Sequence, residues 1–180
     1  MDTKHTRTGQ RGITLLEICI VMVVAAIVAA TAAPSLAAFI EARRLEGAAT
    51  RLAADIQEVR SESLARNRSL RLSLHSSVTA SCWVVHTGSA AQCSCASAGP
   101  ALCTGGAVAI KTVRIPVDDR VSLLANVGSI LFDPLHGTIT PTGTLRLVAP
   151  NGRSIHHVVN VMGRVRSCSP AAAVPGYRAC

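Results

Sequence analysis

Aromatic residues are nearly missing from this chain: one Trp, one Tyr and two Phe make up 2% of its 180 residues. That scarcity rules out a core built on rings and leaves little surface on which unpaired bases could stack. Any core must rest on Val, Leu, Ile and Ala. Acids are the second shortage. From Leu64 onward three carboxylates (Asp118, Asp119, Asp133) face eleven Lys/Arg, and beyond Asp133 there is no acid at all. Asp118 and Asp119 are adjacent, so no spaced acid/base pair is available there. A glycine-rich phosphate loop ending in Lys-Ser/Thr is also missing. His156 and His157 are consecutive, so on a strand they point to opposite faces and cannot share a metal ion. They read as strand histidines at a partly wet edge. Neither an enzyme nor a cofactor is expected.

What is present is one-signed charge. The formal net charge is +8, and the part after Leu64 supplies all of it. Five arginines and three histidines (His136, His156, His157) follow Asp133. Such a surface attracts nucleic acid, anionic lipid or acidic partners, or serves only to keep the chain soluble.

The N-terminus has a different character. Residues 1–12, "MDTKHTRTGQRG", are polar and basic, and "ITLLEICIVMVVAAIVAATAA" then runs from Ile13 to Ala33 with Glu17 as its single charge. Twenty-one helical residues span about 32 Å, the thickness of a bilayer core. The basic flank predicts a cytoplasmic leader and an exported C-terminal part. "ATAAPS" offers a small-x-small site of the secretory kind, the lesser alternative. A carboxylate inside a membrane helix marks a function or a pairing partner.

"RGITLLEICIVMVVAAIVAATAAPS" resembles the leader and first helix of type IV pilins and type II secretion pseudopilins, with Ile13 in place of the usual Phe. The resemblance implies that a prepilin peptidase cuts between Gly12 and Ile13 and methylates the new amine of Ile13. It also implies that Glu17 neutralises the amine of a neighbouring subunit. A buried pair of this kind sets register better than it adds stability. Pro34 also fits the family, whose helix kinks or loosens at that point.

Past Pro34 the spacing becomes amphipathic. Leu36, Phe39, Ile40, Leu45, Ala48, Ala49, Leu52, Ile56 and Val59 form an apolar stripe. Glu41, Arg43, Arg44, Glu46, Arg51, Asp55, Glu58, Arg60 and Glu62 are assigned to the opposite face. The helix is expected to end near Arg66 to Arg68. "LAADIQEVRSESLARNRSLRLSL" (52–74) and "FDPLHGTITPTGTLRL" resemble the GspH/FimT subgroup. From Ser69 onward, β-branched or alternating runs at 69–74, 82–86, 107–115, 121–124, 129–132, 144–148 and 155–162 read as antiparallel strands. Asn151-Gly152 marks a hairpin between two of them. The predicted fold is α+β, a pilin-like long helix packed on an antiparallel β head. Its segments are a leader (1–12), a transmembrane helix (13–34), an amphipathic helix (35–68) and a head (69–180). The resemblance implies an inner-membrane subunit with its head in the periplasm and other pilins as partners.

Seven cysteines occur, Cys19 in the span and six in the head. An even number in an oxidising compartment reads as disulfides. Cys168 and Cys180 are expected to close the tail, and Cys82, Cys93, Cys95 and Cys103 to staple the loop 87–106. Cys93-x-Cys95 with Cys103 lacks the paired hooks of a zinc site.

The segment "GRVRSC" (163–168) carries the function question. It resembles the Gly-Arg-x-Arg element of DNA-binding members of the FimT branch. Arg164 and Arg166, two apart on a strand, would face one phosphate backbone, with Gly163 permitting a bend or close approach. Arg153, Arg146, Lys111, Arg114 and Arg178 could widen that footprint. Duplex DNA, taken up in natural transformation, is the expected ligand. The alternative is a type II secretion pseudopilin with a purely structural tip role.

Overall fold

A computed structural model describes residues 14–76, 80–96 and 99–180. The leader and the Gly12–Ile13 junction lie outside the described residues. The chain divides into two compact units, Met1–Phe39 and Ile40–Cys180, and the helix α1 (Leu15–Ala65) contributes to both.

In the first unit Thr14 caps the helix, its hydroxyl accepting the Glu17 N–H at 3.3 Å. Thr-x-x-Glu is the sequence form of a capping box, so Glu17 sits where the helix dipole favours an anion. The apolar side chains from Leu15 to Val28 are exposed, and the helix is long and apolar enough to cross a membrane. The Thr31 hydroxyl donates to the Ile27 and Val28 carbonyls, which satisfies it within an apolar segment. The helix runs unbroken through Pro34, so Pro34 does not divide it.

The second unit holds the head. Its strands are β1 (Leu70–Ser76), β2 (Ala80–His86), β3 (Cys93–Ser94), β4 (Leu102–Cys103), β5 (Ala109–Pro116), β6 (Ser122–Ala125), β7 (Ser129–Phe132), β8 (Ile139–Thr140), β9 (Gly143–Val148), β10 (Ser154–Val159) and β11 (Val165–Cys168). Two antiparallel sheets form, with orders β5-β2-β1-β7-β8 and β11-β10-β9-β6, and β3 and β4 make a small ribbon. The hairpin at Asn151-Gly152 forms as its sequence demands, pairing Val148 with Ser154.

One core unites the sheets and the helix. Leu45, Ala49, Leu52, Ile56 and Val59 of α1 meet Leu70, Leu72, Trp83, Val85, Val113, Ile130 and Phe132 of the first sheet. They also meet Leu123, Leu145, Leu147, Ile155 and Val159 of the second. The packed stripe starts at Leu45. Leu36, Phe39 and Ile40, expected on it, are exposed.

A second correction concerns Asp55, which was assigned to the polar face. It is buried, accepting the Trp83 Nε1–H at 2.6 Å and pairing with Lys111 Nζ at 2.8 Å. A buried carboxylate is tolerable only when so satisfied. The only Trp of the chain thereby has its one polar atom answered.

His157 is the third correction. It lies buried beneath α1 rather than at a wet edge, its ring bonding the Ala49 carbonyl at 2.9 Å and the Ser167 hydroxyl at 2.8 Å. Burial holds its pKa below the ordinary 6.5, partly offset by the Ala49 bond and reinforced by His156. Finally, the run 155–162 is strand only to Val159, because Asn160 to Gly163 turn the chain into β11.

Candidate nucleic-acid interface

The second sheet presents its two faces to different surroundings, because residues alternate along each strand. Leu145, Leu147, Ile155, His157 and Val159 face the core. Arg146 on β9 therefore points outward, and its register partners are His156 on β10 and Leu124 on β6. Arg166 on β11 stands opposite Val158, one step further along the same outward face. From strand spacing and rise, Arg146 and Arg166 lie roughly 12 Å apart at Cα. Both are exposed, as is Arg164 just ahead of β11. His156 is pushed below its ordinary pKa first by burial and then by the neighbouring Arg146 cation. None of the four strands contains an Asp or Glu.

β11 is an edge strand, and Arg178 extends the basic row past its end. The Ser169 N–H donates to the Arg178 carbonyl at 2.9 Å, and Ser169 and Ala179 form an isolated parallel bridge. The Cys168–Cys180 disulfide fixes the tail there, and Val174 inserts into the core from the same segment. Arg164, Arg166 and Arg178 thus follow one edge in order.

Gly163 has a different task from the arginines after it. It is buried at φ +72°, in the left-handed region where glycine is favoured. A Cβ there would come within 2.6 Å of the Arg60 Cδ on α1. Its carbonyl accepts the Gln57 Nε2–H at 3.1 Å, and its N–H donates to Asn160 O at 2.9 Å. Gly163 thus seats the hairpin on the helix.

Three other cations sit elsewhere. Lys111, on β5 of the first sheet, bonds Asp55 and also Glu58 at 2.5 Å. Those bonds, Asp55 first, raise its pKa above 10.5. Its charge is committed to the helix. Arg114 shares β5 and is half-buried. Arg153 lies in the β9–β10 hairpin, where the Asn151 N–H donates to the Glu41 carboxylate at 3.3 Å, so an acid stands nearby.

The sequence offers Arg146 as one of five cations that could widen the Arg164/Arg166 footprint, but does not single it out from Arg153, Lys111, Arg114 and Arg178. The signal was available: the alternation in "TLRLV" puts Arg146 opposite in sense to Leu145 and Leu147. Which strand lies beside β11 depends on topology, which that alternation does not carry.

The family model described as "Type II transport protein GspH" matches residues 48–163, well over half the chain. The chain belongs to the GspH family. A second model, "Prokaryotic N-terminal methylation motif", matches residues 7–33 and so covers the leader junction and Glu17. No curated protein and no solved structure matches the chain. A GspH-family pseudopilin is a structural, type IV pilin-like subunit and not an enzyme. Membership carries processing by a prepilin peptidase and assembly with other pilins, from an inner-membrane position. The GspH match stops at Gly163, immediately before Arg164. The arginine edge and the disulfide-closed tail are therefore features of this chain beyond the matched region.

Proposed function

We propose that this GspH-family subunit is a minor pilin that binds duplex DNA without sequence preference and supports DNA uptake in natural transformation. The observation that carries the reading is the register that sets Arg146 and Arg166 on one open face whose strands hold no Asp or Glu, with Arg164 bonded opposite Asn160 just beyond it. Guanidinium groups on a flat sheet bind phosphates as planar forks. Such contacts position a duplex without reading it, and they weaken as salt rises. Arg178 extends the track, while Lys111 and Arg114 stand outside it and Gly163 shapes it. The scarcity of rings favours duplex over single strands.

The same reading includes cleavage between Gly12 and Ile13, methylation of Ile13, and pairing of Glu17 with the amine of a neighbouring subunit. It makes residues 13–34 a single membrane pass, 35–68 the amphipathic helix, and 69–180 a periplasmic head. The second reading is an H-type pseudopilin of type II secretion with a structural tip role. The description of the matched family model favours it.

Binding of a labelled 30-base-pair duplex to the full chain in zwitterionic nanodiscs, titrated across salt, separates the two. We expect binding at low salt that is lost in Arg164→Gln/Arg166→Gln, and transformation lost in a strain carrying the pair. No binding by the unaltered chain at low salt would leave the secretion reading standing.

A further inference from the structure

The turn between β10 and β11 carries an apolar tip that the arginine track does not explain. Val161 and Met162 are 48% and 55% exposed at the end of the ribbon. Exposed apolar side chains are common singly, but these two are adjacent and lie in a turn tied down by hydrogen bonds on both sides. The Ile139 N–H donates to Val161 O at 2.8 Å, and the Arg164 N–H to Asn160 Oδ1 at 2.9 Å. The Asn160 N–H donates to Arg164 O at 3.2 Å, which closes the turn from its other side. Gln57 and Arg60 of α1 brace the turn from beneath through Gly163. The tip is thus fixed before any partner arrives, which lowers the ordering cost of binding.

Its surroundings are cationic. Arg164 follows the tip after Gly163, Arg166 lies two residues further on, and Arg60 stands under that glycine. The nearest acid in the neighbouring loop, Asp133, is bonded by His136 Nδ1 at 2.6 Å and by the Leu135 N–H at 2.9 Å. A short apolar wedge flanked by arginines on a braced ribbon is the chemistry that enters a minor groove and presses between base steps.

We infer that Val161 and Met162 form such a wedge, which partly unstacks and bends the duplex while the arginines hold its backbone. This rests on the reading of the sheet face as a DNA contact and adds a term to it. Phosphate contacts weaken with salt, whereas apolar insertion does not, so the complex should keep residual affinity where a purely ionic one would vanish. Insertion is easiest at flexible pyrimidine–purine steps or at a nick.

The test uses the full chain in zwitterionic nanodiscs with duplexes labelled at both ends for energy transfer. Val161→Ser/Met162→Ser should bind about tenfold more weakly at every salt concentration, from the apolar area removed. Its salt slope should be unchanged, and it should lose both the bend and the preference for nicked duplex. Met162→Leu, which keeps an apolar side chain at the tip, should retain them. Fluorescence of the buried Trp83, the only Trp, reports that each variant is folded. If Val161→Ser/Met162→Ser binds and bends like the unaltered chain, the wedge is overturned and the tip belongs to contacts with another protein. If the unaltered chain binds no duplex, the DNA reading itself fails, a distinct outcome.

Discussion

The two sheets of the head expose opposite designs on their outer faces. On the first sheet, Ser73, Cys82, Val84 and His86 all point away from the helix, yet all are buried. The excursion between β2 and β5 covers them. Cys82–Cys95 ties it to β2, and Cys93–Cys103 ties its own ribbon together. The Arg71 Nε–H donates to Gly88 O at 3.3 Å, and Thr87 and Val108 exchange bonds at 3.1 and 3.0 Å. On the second sheet Leu124, Arg146, Val158 and Arg166 are exposed on the outer face. A small protein with few aromatics gains core by covering one sheet on both sides. Leaving the other face open, and furnishing it with arginine, is a choice that stability does not require.

Removing the cover gives the largest effect. Cys82→Ser/Cys95→Ser frees the excursion, and the loss of a 13-residue cross-link should lower stability by roughly 2–4 kcal/mol. Urea unfolding followed by Trp83 fluorescence measures it. Duplex binding below the transition should be unchanged, because the open sheet has its own staple at Cys168–Cys180. A parallel loss of binding would mean that the two faces are not independent.

A smaller effect distinguishes the sheets by charge. Arg146→Gln, on the open face, should reduce the magnitude of the log–log salt slope of duplex binding by about 0.9, the value for one phosphate contact. Arg114→Gln, on the first sheet, should leave that slope unchanged. Equal changes would spread the footprint over both sheets and remove the contrast.

How much of this was legible in the sequence varies by element. The long apolar segment announces itself through Ile13 to Ala33 with its single Glu17, since length and apolarity are local properties. The Leu45–Val59 stripe and the Asn151-Gly152 hairpin are local too, and both form. Asp55 escaped because the residues that satisfy it, Trp83 and Lys111, come from two different strands of the other layer. Seen alone, a carboxylate among Arg51, Glu58 and Glu62 belongs to the wet face. His157 escaped for the same reason, its ring being answered by the Ala49 carbonyl. Gly163 stands out in the sequence as a place for a bend or a close approach, but the residue it lies against, Arg60, is a helix residue far up the chain. The arginine pair and Arg146 were each legible as candidates, but that they share a face was not, because sheet order is a long-range property.

Protonation should act in opposite senses through the buried histidines and through the histidine of the open face, and this is the smallest effect. His86, under the cover, bonds the Ser73 hydroxyl at 2.8 Å and the Thr87 carbonyl at 2.9 Å. Burial lowers its pKa below 6.5, the Thr87 bond opposing and Arg71 and His75 adding. His157 is lowered by burial as well. Between each lowered folded value and 6.5 the unfolded chain binds more protons. Stability from these two groups is therefore complete above pH 6.5 and is lost as pH falls through the folded values. His156 stands on the open face beside Arg146, also lowered. A bound polyanion favours its charged form, so duplex affinity should rise over the same interval in which stability falls. Urea midpoints and duplex titrations between pH 8 and pH 5.5 test both limbs. His157→Gln should make the stability limb shallower, and His156→Gln should flatten the binding limb with only a small change in the stability limb. A binding limb that survives His156→Gln would move the titrating group off the open sheet, and with it the contact surface.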